Sequence, residues 1–157
     1  KNWLGSFTIP HAVINDAEFL HQLPLAQRRA GLAEAVKVAL IRDHAFFLTI
    51  ERDAGQLAEC EPLLFEQVVR TSARHHLEHI ATGGDPFEKG SARPLDFGHW
   101  AAHKLEQLTE FAVSHGDAVA LGVALDVVYA ARTGLLAEAT AQRVLDVLET
   151  LGFRLYH

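Results

Sequence analysis

Asp96–Asp117 reads DFGHWAAHKLEQLTEFAVSHGD and carries three of the chain's ten histidines, His99, His103 and His115. His99 and His103 are four apart, so a helix puts both imidazoles on one face, with Cβ atoms ~6 Å from each other. Gly98 allows a close backbone approach just before them. One helix-length later, Ser-His-Gly-Asp reads as a break and a new helix start. The stretch therefore predicts a helical hairpin with imidazoles near both ends. Two histidines from one turn and a third from a neighbouring element can bind Zn²⁺ when a carboxylate completes the set. Spacing alone leaves the alternative open, because ten histidines in 157 residues produce such patterns by chance.

Length and composition bound the rest. At 157 residues the chain is read as one domain with room for a real core. A hydrophobic content of 49% against 22% charged residues marks a globular chain. The net charge is −6, and no basic run interleaved with aromatics appears, which argues against nucleic acid as a partner. No apolar run approaches the ~20 residues of a membrane span, and the N-terminus lacks a signal-peptide pattern. Cys60 is the only cysteine, so no internal disulfide forms and a cytoplasmic location fits best. Lys1 and His157 both fall where a fold would continue, and the expectation is a piece of a longer protein.

Upstream of the hairpin, residues 1–10 are irregular. His11–Asn15 (HAVIN) is a short β-prone run, too short to form a sheet alone, and is expected to pair with strands before Lys1. Asp16 is expected to cap a short helix that Pro24 ends, with Pro24 in the first turn of the next helix. That helix, Ala30–Ile41, reads AGLAEAVKVALI, with Glu34 and Lys37 as its only polar residues. A helix apolar almost all round is buried among other helices. A buried Glu must be paired, hydrogen-bonded, protonated or metal-bound. The alternative is a narrow wet stripe holding a Glu–Lys pair worth at most ~0.5 kcal/mol.

A short helix is expected over HAFFLTIERD. A long amphipathic helix is expected over Glu61–Ala81, burying Leu63, Leu64, Val68, Val69, Leu77 and Ile80. His75, His76 and His79 within it read as surface or substrate-facing, although His75 and His79 repeat the four-residue spacing. Residues 82–94 form a loop by every turn signal, long enough to be functional or simply an exposed connector. Gly116 to about Arg132 is a second very apolar helix, opened by a capping-box-like Ser114…Asp117 and stopped by Gly134. Ala137–Leu151 is the last helix, stopped by Gly152. The fold class is mostly α, with one front strand. Its two most apolar helices should pack together at the centre, bringing Glu34 toward the histidine hairpin.

Four motifs in this order, KN-x-x-G-x-F-x-x-P, GLAEAVK, FGH-x-x-x-H and HGDAVALG, resemble the dehydroquinate synthase superfamily, the sugar phosphate cyclases. The resemblance spans nearly the whole chain. It implies a multi-helix, metal- and substrate-binding C-terminal domain over 16–157, cut short at its end. Residues 1–15 would be linker and strand from an NAD-binding domain that lies outside the sequence. It implies Zn²⁺ (or Co²⁺) on Glu34, His99 and His115. Cofactor contacts are implied for Lys1, Asn2 and the run Phe19, Leu20, His21 and Gln22. Substrate contacts are implied for Asn2, Lys37, Arg93, Asp96 and His103, with Lys37, His103 and Glu88 in catalytic roles.

The implied reaction converts a sugar phosphate to a carbocycle with loss of phosphate. NAD⁺ transiently oxidises a ring hydroxyl, phosphate is eliminated, the ketone is reduced back, and ring opening and an aldol closure follow. A homodimer is compatible with this picture. The chain departs from typical dehydroquinate synthases at Asp96, where they have Asn, near His76, where they have Lys, and at Arg93, which is shifted by one position. Asp96 would repel a substrate carboxylate. That favours a substrate without one, such as a sedoheptulose phosphate. The competing function is a non-catalytic helical module that keeps the fold to bind a partner. Glu34, Lys37, His99 and His115 occurring together speaks for the enzyme.

Overall fold

The computed structural model describes Thr8, residues 11–82 and residues 94–156. Among the described residues there are seven helices and no strand: α1 (Glu18–Gln22), α2 (Leu25–Arg42), α3 (His44–Ala58), α4 (Pro62–Thr82), α5 (His99–Leu108), α6 (His115–Arg132) and α7 (Glu138–Thr150). The mostly-α expectation holds, but the expected strand does not form. Residues 12–16 are irregular, with Ile14 exposed. A strand needs a partner for its backbone groups, and the described residues supply none.

The core is built on α2 and α6. Helix α2 packs against α3, α4 and α6, while α6 also packs against α5 and α7. Leu32, Ala33, Val36 and Ala39 of α2 meet Val119, Ala120, Val123 and Val127 of α6 in one apolar cluster. Small residues let these backbones come close. A Cβ on Gly116 would overlap the Ala30 carbonyl oxygen of α2, and one on Gly122 would overlap the Gly98 carbonyl oxygen ahead of α5. Helix α6 is thus held against α2 at its N-terminus and against the start of α5 in its middle.

Capping fixes the helix starts. The Asp43 carboxylate accepts from Phe46 N–H at 3.0 Å to open α3. Ser114 Oγ accepts from Asp117 N–H at 3.2 Å, capping α6, and donates to the Asp117 carboxylate at 2.6 Å. Gly98, at φ 75°, gives the left-handed turn into α5, and its N–H donates to Asp126 of α6 at 2.7 Å.

Several sequence expectations shift. Helix α2 begins at Leu25, directly after Pro24 as its expected place at the helix start implied, since its missing N–H costs nothing there, and the apolar run from Ala30 lies within it. Helix α3 is not short: it runs to Ala58 because Ala54, Leu57 and Ala58 continue the buried face of Phe46, Phe47 and Ile50. On α4 the buried stripe is Phe65 and Val68, and Leu63 (78% exposed) and Leu77 (45%) lie off it. His75 and His79 are not surface groups. His75 Nε2 lies 3.1 Å from the Asp43 carboxylate beside the Phe46 ring, and His79 is buried. No described helix is long and apolar enough to cross a membrane.

Candidate metal centre

Three elements converge at one end of the α2–α6 contact. Helix α2 presents Glu34 and Lys37, α5 presents His99 at its first position, and α6 presents His115 at its first position. Glu34 Oε1 lies 3.2 Å from His99 Nε2 and 3.3 Å from His115 Nε2. One nitrogen or oxygen of each of the three residues falls within 4.8 Å of the others. Glu34 Oε2 turns the other way, to Lys37 Nζ at 2.7 Å, and that ammonium is buried.

The electrostatics follow from this packing. Burial pushes the Glu34 carboxyl up, but the His99 hydrogen bond and the charge and hydrogen bond of Lys37 outweigh it and hold the group at about 2. The Glu34 hydrogen bond raises His99, against burial and the Lys37 charge. Glu34 is therefore an anion at neutral pH.

The remote ring nitrogens are also engaged. His99 Nδ1 lies 3.2 Å from the Phe97 carbonyl oxygen, and His115 Nδ1 lies 3.1 Å from the carboxylate of Glu106, a buried residue. His103 is exposed one turn after His99. Its ring stands edge-on to His99 at 5.4 Å and stacks on His115 at 5.9 Å. A second possible donor group, His103, Glu106 and His115, shares His115 with the first.

A cleft of about 570 Å³ opens beside Glu34, Lys37 and His99, between α2, α4 and the turn before α5; Asp96, His76 and Leu20 also line it. Phe19 and Leu20 line a neighbouring cleft against α4, whereas His21 and Gln22 are exposed and line neither. Lys1, Asn2, Glu88 and Arg93 lie outside the described residues.

Two residues escaped the sequence reading. Arg28 lines the first cleft with a buried Nε that has no hydrogen-bond partner among the described residues. Only its place six residues before Glu34 on the same helix could have flagged it. Glu106 is seven residues after His99, on the same face of α5, and that spacing was visible.

A family model described as 3-dehydroquinate synthase C-terminal matches residues 31–157. The chain is 37% identical to a 2-epi-valiolone synthase of Actinosynnema mirum over 153 residues, covering 97% of this chain and 40% of that protein. It is 37% identical to a 3-dehydroquinate synthase of Symbiobacterium thermophilum over 152 residues, covering 96% and 42%. The solved structure of ValA, a 2-epi-5-epi-valiolone synthase from Streptomyces hygroscopicus subsp. jinggangensis 5008 with NAD⁺ and Zn²⁺ bound, superposes with a TM-score of 0.81 at 35% identity. That match covers 90% of this chain and 39% of ValA. The chain spans about two-fifths of the length of these relatives.

Proposed function

The chain belongs to the 3-dehydroquinate synthase C-terminal family, and from that premise we propose that it is the metal- and substrate-binding part of an NAD- and metal-dependent sugar phosphate cyclase. Residues 16–157 are the helical domain, and 1–15 lead into it from a cofactor-binding domain. Glu34, His99 and His115 hold Zn²⁺ or Co²⁺, His103 stands beside them without ligating, and Phe19–Gln22 face the nicotinamide cofactor. The NAD⁺ and Zn²⁺ bound to ValA support the cofactor assignment.

One observation carries the metal reading. A tetrahedral ion with ~2.0 Å bonds keeps its donor atoms about 3.3 Å apart. Glu34 Oε1 stands 3.2 and 3.3 Å from the two imidazole Nε2 atoms, so small adjustments suffice to admit the ion. The donor set, two imidazoles and a carboxylate, is one that zinc enzymes use, and three protein ligands leave a position for substrate oxygen. When bound, the ion supplies Lewis-acid polarisation of that oxygen.

The protein's own groups do the rest. Lys37 holds Glu34 by its outer oxygen, leaving the inner one directed at the histidines, and it borders the cleft where substrate enters. His103 presents an exposed imidazole next to the site, suited to a phosphate or to moving a proton. Asp96 borders the cleft and disfavours a carboxylate there, which supports a sugar phosphate lacking one.

The test is zinc stoichiometry in the intact protein after dialysis. One Zn²⁺ per chain is expected, with His99→Ala lowering affinity by orders of magnitude and His103→Ala far less. Full zinc retention in His99→Ala would refute the assignment.

A further inference from the structure

We propose that Glu106 is the positioning residue of His115, fixing which of its ring nitrogens faces the metal; this rests on the metal reading above. Glu106 is a buried acid on α5, and its Oε2 lies 3.1 Å from His115 Nδ1. A carboxylate only accepts hydrogen bonds, so Nδ1 carries the proton in this contact. Holding an ion takes a neutral imidazole, and with the proton kept on Nδ1 its lone pair would be on Nε2, the atom 3.3 Å from Glu34. His99 is wired the same way, with Nδ1 on the Phe97 carbonyl and Nε2 toward Glu34. Two imidazoles thus offer the same atom to the same point, one held by a carbonyl and the other by a carboxylate. Such outer partners orient a ligating histidine and raise its basicity.

The other donor group, His103, Glu106 and His115, uses the same carboxylate as a ligand. It is incompatible with the first, because His115 would then offer Nδ1 and its Nε2 would carry the proton. The position of Glu106 separates the two. Its side chain is 7% exposed against 35% for Glu34, so it is Glu34, which borders the open cleft, and not Glu106 that can share an ion with substrate.

The experiment compares wild type, Glu106→Gln and Glu106→Leu in the intact protein. Zinc affinity is read by competition with a chromophoric chelator, and His115 ring nitrogens by long-range ¹H–¹⁵N spectra. The Gln carbonyl can still accept from Nδ1–H, so Glu106→Gln should keep that proton and bind zinc within a few-fold of wild type. Glu106→Leu should lose the hydrogen-bonded proton and bind zinc roughly 10–100-fold more weakly. Equal affinity in all three proteins overturns the proposal. So does zinc on His115 Nδ1, with His103→Ala as damaging as Glu106→Leu. A wild type that binds no zinc refutes the metal reading instead. The zinc-free spectra then decide the contact: a Nδ1–H proton lost only in Glu106→Leu supports it, and its absence from wild type overturns it.

Discussion

Gly116→Ala should weaken zinc binding although Gly116 carries no ligand. A Cβ there would overlap the Ala30 carbonyl oxygen and come within 2.6 Å of its carbon and 2.7 Å of Ala30 Cα. All three are backbone atoms within α2, so no side chain can swing away. Carbon atoms pack best at about 3.5–4.0 Å, so the start of α6 must retreat by about 1 Å. His115, the adjacent residue, moves with it. Its Nε2, now 3.3 Å from Glu34 Oε1, leaves the reach of an ion held by Glu34 and His99. The strain is that of an overpacked core, ~1–3 kcal/mol, with zinc affinity reduced on the order of 10–100-fold. Urea unfolding of the zinc-free protein and chelator competition measure the two effects. Gly31→Ala is the control, since its Cβ would meet nothing within 4 Å, and it should gain stability by roughly 0.5–1 kcal/mol through helix propensity. Wild-type zinc affinity in Gly116→Ala would show that the α2–α6 approach does not set the site.

Asp96→Asn should shift kcat/KM toward a carboxylate-bearing sugar phosphate by on the order of tenfold, since one like charge is removed from the cleft; an unchanged or opposite preference contradicts the substrate assignment. The Asp43 carboxyl is held below its ordinary value, chiefly by the Phe46 N–H, against burial and with help from His75. Its contribution to stability is complete above the ordinary Asp value of ~3.9 and fades as pH falls through the depressed one. The stability gap between wild type and Asp43→Ala should therefore close in acid, and a gap independent of pH would refute this. Residues 1–157 alone, given NAD⁺ and sugar phosphates, should release no phosphate, and turnover would sink the two-domain reading.

Much of the fold was legible because its signals were local. The apolar runs of α2 and α6 have no polar face to offer water, so they had to be central. Ser114 and Gly134 marked the ends of α6 by cap chemistry that needs no tertiary context. The misses were tertiary. HAVIN has strand propensity but no partner among the described residues, and propensity without pairing does not make a strand. On α4, Val68, Leu64 and Val69 pack on the core as expected, but Leu63 and Leu77 do not, because they are equally apolar and only the position of α2 and α3 decides which stripe is covered. His75 looked like a surface group because its partner, Asp43, lies far back in the sequence, at the start of α3.

The site divides along the same line. Each candidate donor sits in a short motif, GLAE, FGH or HGD, and in each a neighbouring residue bears on the backbone packing. Ala33, next to Glu34, is fully buried in the core cluster. Gly98 turns the chain into α5 in a left-handed conformation, and its N–H is held by Asp126 from the helix that carries His115. Gly116 lets that helix touch α2. The donors are thus placed by contacts between three backbones rather than by their own side chains. Reading the motifs can name the donors but cannot show why they meet. Glu106 went unseen for the same reason: its spacing places it on the histidine face of α5, yet only the approach of α6 gives that face a histidine to hold.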